Sequence, residues 1–371
     1  MQIRLKRIPA LFTLFVLAAC AQAGPALSPQ AEPTPLPSLS PSPSPSPSAA
    51  PTALATASTT ASLRGPTWQP LDFANLYPSR EEPALILDTR NKIALLFGGF
   101  YGNDIILNDL WETDGKTVNQ IQASPSPMLA AASMAYAYGE KRQVAVLFGN
   151  ALFGTGENTK LSGETWLFDG AKWVQQHPLN SPSPRFDACM AYDAARDQTV
   201  LFGGAIGTGP EAEKVNDTWV WDGTDWKQLF PASLPPAREG ANMVYDRARQ
   251  AILLFGGGSG GDLFDDTWLW DGTSWVEQHP DHHPPARTDF GMAYDESRQQ
   301  VILFGGGSES GILTDTWAWD GQDWQQLQTI QSPPQFMSLI SVRMVYLPGL
   351  DTVMLYGSSI DEGQFWELVY K

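Results

Sequence analysis

From residue 67 onward the chain repeats itself, and this repeat constrains the fold more than any other feature. Aligned, three of the units read VLFGGAIG…NDTWVWDGTDWKQL, ILLFGGGSG…DDTWLWDGTSWVEQ and VILFGGGSE…TDTWAWDGQDWQQL. The aromatic residue ahead of the glycine recurs at Phe97, Phe148, Phe202, Phe255, Phe304 and Tyr356, with spacings of 51, 54, 53, 49 and 52 residues. A unit of this length is one supersecondary element that cannot bury its apolar faces alone, so successive units must stack.

Each unit reads as four short strands. Strand A is the MAYD segment, at Met190–Asp193 and Met292–Asp295 for example, and strand B is the VLFGG run. Strand C is DTWxWD, and strand D follows DGxxW. The pairs Asp222-Gly223, Asp271-Gly272 and Asp320-Gly321 suit a tight C-to-D turn, in which glycine supplies a positive φ. Trp219 and Trp221 are two residues apart and share one face of a strand, as do Trp268 with Trp270 and Trp317 with Trp319. Large flat side chains at this spacing are expected in the core between stacked blades.

A period near fifty, with a diglycine after an apolar strand, resembles the kelch repeat. The resemblance covers residues 67–371 and implies an all-β, six-bladed β-propeller with four antiparallel strands per blade. Strands A, B and C occur six times, ending with SVRMVYL, TVMLYG and QFWELVY, and the chain stops at Lys371 without a sixth strand D. Thr67-Trp68-Gln69-Pro70-Leu71 matches Asp323-Trp324-Gln325-Gln326-Leu327, so an N-terminal strand is expected to complete the last blade and remove its open edge.

Strands alternate in direction, so the B–C and D–A connections share one face. They are long and varied, as in AIGTGPEAEKVN, GSGGDLFD and HPDHHPPAR, whereas the A–B and C–D turns are short. Long loops on a rigid scaffold are where binding residues concentrate, which makes this the expected working face. Four strands A are preceded by Arg80, Arg185, Arg238 and Arg287; the other two blades have Leu129 and Leu339 there. In kelch domains that bind acidic peptides, arginines near this point reach the ligand, so the resemblance implies an anion or carboxylate site built on these four. Two positions later come Glu82, Asp187 and Asp289, which would give the channel mouth both signs of charge. The alternative is internal pairing, because Asp109, Glu164, Asp217, Asp266 and Asp315 recur at the start of strand C. Four positions after the arginine stand Ala84, Ser133, Cys189, Asn242, Gly291 and Arg343, read as small or polar residues suited to a crowded axis.

Ahead of the repeat, MQIRLKR is cationic, Ile8–Ala19 is apolar but too short to span a bilayer, and Leu17-Ala18-Ala19-Cys20 resembles the lipobox of bacterial lipoproteins. Residues 1–19 are therefore expected to be a signal peptide, and Cys20 the lipidated mature terminus on the extracytoplasmic side of a bacterial membrane. Residues 20–66 are rich in Pro, Ser, Ala and Thr, the composition of a disordered tether. With Cys20 acylated, Cys189 has no intramolecular disulfide partner. Loss of the three cations in residues 1–19 takes the formal charge from −17 to −20, which repels phosphate backbones and argues against nucleic acid as a ligand.

Catalytic chemistry is sparse. The only histidines are His177, His279, His282 and His283, and the proline-broken HPDHHPP cluster is a poor metal site. The Asp-rich loops, Asn103-Asp104 with Asn108-Asp109 and Asp262 with Asp265-Asp266, offer oxygen ligands for calcium but follow no known calcium-loop spacing. Cys189 lies inside a strand A without a neighbouring base. The chain resembles galactose oxidase in blade motif only, since no histidine falls in an inner strand to bind copper. No cofactor is expected. The leading expectation is a monomeric binding module for a protein or glycan, acidic if the arginines serve it. The alternative is a metal-free enzyme acting on acidic sugars, similar to the six-bladed kelch mutarotase of sialic acid, with Arg185, Arg238, Asp187 and Asp289 as its clamp and acid–base groups.

Overall fold

The computed structural model divides the chain into two units, Met1–Leu63 and Arg64–Lys371. It describes residues 65–371 apart from 74–78, 102–104, 125, 128–133, 153–159, 209–210, 335–341, 359–362 and 371, and apart from the side chains of 150–152 and 160. The expected signal peptide, Cys20, nearly all of the tether, and Leu129 and Leu339 lie outside the described residues.

The described residues form six four-stranded antiparallel sheets. Blade I joins Ala84–Asp88, Ile93–Phe97, Leu110–Thr113 and Val118–Ile121, and blade II joins Ala135–Gly139, Val144–Leu152, Lys160–Phe168 and Trp173–Gln176. Blade III comprises Cys189–Asp193, Gln198–Phe202, Thr218–Trp221 and Trp226–Leu229. Blade IV comprises Asn242–Asp246, Ala251–Phe255, Thr267–Trp270 and Trp275–Gln278. Blade V follows as Gly291–Asp295, Gln300–Phe304, Thr316–Trp319 and Trp324–Leu327. In blade VI, Arg343–Leu347, Thr352–Ser358 and Gly363–Tyr370 are joined by Pro66–Leu71 as the outer strand, with Thr67 opposite Val369 and Leu71 opposite Phe365. Neighbouring strands A contact one another all the way around the ring.

The core is split among six clusters, one at each blade interface. Strand A serves two of them by alternation: Cys189 and Ala191 pack with blade IV residues such as Met243 and Trp270, while Met190 and Tyr192 pack with blade II residues such as Val146 and Phe148. Strand B is covered on both faces, hence the unbroken apolar runs; Ile252, Leu253, Leu254 and Phe255 are all fully buried. The second tryptophan of each strand C motif (Trp221, Trp270 and Trp319) is buried in these interfaces, as the spacing predicts. The first is less deep at Trp219 and Trp317, for a reason that belongs to the arginines below.

The tryptophan that opens strand D ties each blade to the one before it. Trp226, Trp275 and Trp324 donate Nε1–H to Thr165, Thr218 and Thr267 of the preceding strand C at 2.9–3.0 Å. Trp68 makes the same bond to Thr316 at 3.0 Å, so the N-terminal strand occupies the place of an ordinary strand D. Blade I has Leu110 where the threonine would be, and the buried Nε1 of Trp173 has no partner among the described residues.

The diglycine decides where strand B ends. Gly203 and Gly204 have φ of 69° and 93°, and a Cβ on Gly204 would lie 2.7 Å from the Phe186 carbonyl oxygen. Where both glycines are present, strand B breaks and the B–C connection folds into a two-stranded ribbon: Phe100–Tyr101 with Ile105–Ile106, Ala205–Ile206 with Glu213–Lys214, Gly258–Ser259 with Asp262–Leu263, and Gly307–Ser308 with Gly311–Ile312. Where the second glycine is Asn150 or Ser358, strand B runs on to Leu152 or Ser358. The long B–C loops are thus largely built structure.

Candidate functional site

The four arginines stand at the base of the B–C ribbons, three of them (Arg185, Arg238 and Arg287) after proline-rich D–A segments, and each ribbon is pinned by a bridge to the residue after the arginine, as in Glu239 with Gly258 and Thr288 with Gly307. There each guanidinium turns inward. Arg287 donates from Nη1 and Nη2 to the two carboxylate oxygens of Asp315 at 2.8 and 2.9 Å, and from Nη1 to the Gly305 carbonyl at 2.8 Å. Arg238 holds Asp266 at 2.6 and 2.7 Å, and Arg80 holds Asp109 at 2.8 and 3.0 Å. Arg185 grips Asp217 in the same way, with 2.9 Å from Nη2. All four side chains are at most 1% exposed. Each aspartate also accepts the indole N–H of the first strand C tryptophan, at 2.7 Å from Trp219 and Trp317, which holds those rings toward the blade's end. Burial alone would raise the Asp315 pKa, but the hydrogen bond and charge of Arg287 outweigh it, and the carboxyl sits below its ordinary value. The internal pairing is therefore present in all four blades that carry the arginine.

Asp187 and Asp289 face the axial channel. They occupy left-handed backbone conformations with φ of 51° and 57°, as does Glu82 at 50°, and blade IV has Gly240 at 65°. The Gly240 N–H donates to the Asp187 carbonyl at 3.2 Å, and the Asp289 N–H donates to the Gly240 carbonyl at 3.1 Å. These bonds form a backbone collar across three blades. Thr288 Oγ1 donates to the Asp289 carboxylate at 3.0 Å. Burial pushes the Asp289 carboxyl up to about 6, against the opposing charge of Arg343 and the Thr288 bond, with Glu239 adding to the rise.

The repeat position places Arg343 at the axis, but only as one of the small or polar residues suited to crowding, not as a charged group of the mouth. It begins strand A of blade VI and lines the channel, donating from Nε to the Pro83 carbonyl and from Nη1 to the Val342 carbonyl, each at 3.0 Å. The signal was present: it is the one long cation at a repeat position otherwise held by small or neutral residues. Asn242 also lines the mouth, its Nδ2 donating to the Phe290 carbonyl at 3.0 Å.

Below the collar the channel is a cavity of about 260 Å3 lined by every strand A, including Met190, Met243, Met292 and Tyr136. On the turn side Arg247 of blade IV reaches Glu296 of blade V at 3.1 Å and Glu140 of blade II. The channel lining runs from Asp187, Asp289 and Arg343 on the loop side to Glu140, Arg247 and Glu296 on the turn side. Cys189 lies in its wall with Sγ 3.5 Å from the Phe202 carbonyl, and burial pushes its thiol up to about 12, so it is no thiolate nucleophile. Of the histidine cluster, His282 is held by Asp323 at 2.7 Å and His283 lies 3.5 Å from Asp265. Among the described residues no group of three or more His, Cys, Asp or Glu side chains is placed to hold a metal ion.

Six four-stranded blades around an axial channel define a β-propeller. Residues 194–359 match the family model described as the KLHDC2/KLHL20/DRC7 Kelch-repeats domain. With a glycine after the strand B aromatic in all six blades, doubled in four of them, the chain is a kelch-repeat propeller, the fold of a protein-interaction module. A search of curated proteins finds no match.

Proposed function

We propose that this propeller is a lipid-anchored, extracytoplasmic binding module that takes a protein or glycan ligand on its B–C and D–A loop face. The observation that carries the reading is the asymmetry of the axial channel. Its mouth on the loop face is rimmed by Asp187, Asn242, Asp289 and Arg343, whereas the turn side holds the Arg247 bridge to Glu140 and Glu296. The described ribbons on the loop face are braced by the buried arginine–aspartate pairs, which reduces the ordering entropy that those ribbons lose on binding. The LAAC motif at residues 17–20 and the Pro/Ser-rich stretch after it support export and tethering. A glycan and peptide array probed with Arg64–Lys371 tests the reading. Hits that survive substitutions at the mouth but vanish with substitutions on the A–B turns would overturn it.

One observation favours a second reading. A carboxyl titrating near 6, within reach of an arginine's charge in a concave polar mouth, is what a general acid needs, so Asp289 could serve a metal-free sugar-acting enzyme. Proton NMR of acidic sugars incubated with the protein decides this. Anomer exchange that is accelerated, and lost in Asp289→Asn, would establish the enzyme.

A further inference from the structure

We propose that the mouth of the axial channel receives a cationic element of a partner protein, a lysine or arginine side chain or a free amino terminus. This rests on the loop face being the binding surface and specifies the charge of what it binds. Read from sequence alone, the four arginines ahead of strand A would make this face a site for acidic ligands. The fold withdraws them: each is buried and neutralised by an aspartate of its own blade. The charged groups lining the mouth are Asp187, Asp289 and Arg343; nearby, Glu239, the residue after Arg238, takes up Lys214 at 3.0 Å. Two donors of Arg343 are engaged by backbone carbonyls, so it is oriented by the chain as well as by the acids.

The wider surface carries the same sign. The ribbons and loops of blades III to V present the exposed acids Glu211, Glu213, Asp262, Asp265 and Glu309. The exposed cations Arg90, Lys92, Lys116, Lys141, Arg142 and Lys172 sit instead on the A–B and C–D turns, mixed there with the exposed acids Asp114, Asp222, Asp271, Glu296, Asp320 and Asp351. The described loops of blades III to V are therefore acidic where the turns carry both signs, and an approaching basic segment is steered to the loop face. The channel supplies the second requirement. Asp187 and Asp289 line its loop side and are only partly exposed, so a cationic group reaching them leaves bulk water and meets carboxylates in a medium of lowered dielectric. Burial disfavours the Asp289 anion, and a bound cation would relieve that cost.

The test uses the full chain and two labelled, end-capped peptides that alternate glycine with lysine or glycine with glutamate, followed by fluorescence anisotropy. The lysine peptide should bind, and the pair Asp187→Asn with Asp289→Asn should weaken it about tenfold or more. Glu140→Gln with Glu296→Gln, at the opposite mouth, should leave it unchanged. Arg343→Ala supplies a second, independent readout, because removal of the competing cation should tighten the lysine peptide several-fold. Binding of the glutamate peptide that is lost in Arg343→Ala would overturn the charge assignment while leaving the loop face as the binding surface. Lysine-peptide binding that ignores Asp187 and Asp289 but is lost in the Glu140/Glu296 variant would overturn both. Binding of neither peptide would overturn the cationic assignment alone.

Discussion

The indole of Trp68 donates to Thr316 Oγ1 at 3.0 Å across 248 residues of chain. The bond is the same one that Trp226, Trp275 and Trp324 make to their preceding blades, and Trp68 is fully buried with its ring centroid 5.4 Å from that of Phe304. The ring of blades is thus held shut by the first described strand. A chain cut after Leu71 should lose this strand, expose the edge of Gly363–Tyr370 and melt far below a chain cut at Ala61. Trp68→Ala should by itself cost about 3–5 kcal/mol. Equal melting temperatures for the two truncations would refute closure by this strand.

The tryptophan–threonine bond can be tested away from the seam. Thr218→Val keeps the shape of the side chain but leaves the Trp275 Nε1–H buried and unpaired, which should cost about 1–3 kcal/mol in chemical denaturation. A change at the solvent-exposed Thr224 should cost much less. Blade I already lives without the bond, with Leu110 facing Trp173.

Arg287 and Asp315 predict both a mutational and a pH effect. Arg287→Ala strands a largely buried carboxylate and should destabilise the fold by about 3–5 kcal/mol, whereas replacing both residues by apolar ones of similar size should cost far less. The Asp315 pKa lies below its ordinary 3.8 in the folded state, so its stabilising contribution is present above that value and is lost as pH falls through the folded pKa. Wild-type stability should therefore decline below about pH 4, and this acid-sensitive component should be smaller in Arg287→Ala. Unchanged stability in that variant would mean the arginine is held for a ligand rather than for the scaffold.

A set of arginines on the turn side makes a different tie. Arg249, fixed on Asp246 at 3.2 Å, donates to the Gln299 carbonyl of the next blade at 2.8 Å and lies against Gly321. A Cβ on Gly321 would sit 2.0 Å from Arg249 Nε, while one on Gly261 meets nothing within 4 Å, although the two glycines have φ of 101° and 100°. Gly261→Ala should then show the backbone cost alone, about 1 kcal/mol, and Gly321→Ala clearly more. Matching losses in thermal melts would count against the inter-blade tie.

At the other end of the chain, mass spectrometry of membrane fractions should find the mature terminus at a diacylated Cys20. Cys20→Ser should leave an unprocessed precursor. A freely secreted, unmodified mature protein would remove the lipid anchor from the proposed function.

The blade count, the strand order and the N-terminal closing strand were legible in the sequence because they are periodic. Strand alternation, the diglycine and the DGxxW turn each act within a few residues and recur about every fifty, and the match of Thr67–Leu71 to Asp323–Leu327 is a local likeness. The candidate site was legible only in part. Asp187 and Asp289 could be placed at the channel mouth by repeat position, but the direction of the arginines could not, because Arg287 and Asp315 stand 28 residues apart and either could have faced solvent. Burial decided it: a guanidinium held against the ribbon base must find a counter-charge, and the strand C aspartate is the one within reach. The same holds for Arg343 and for the Arg247 bridge, since one crosses to the backbone of blade I and the other links blades II, IV and V. Such pairings exist only once six similar units have closed into a ring, and the ring alone turned a sequence rich in mouth-side arginines into a protein with an acidic face.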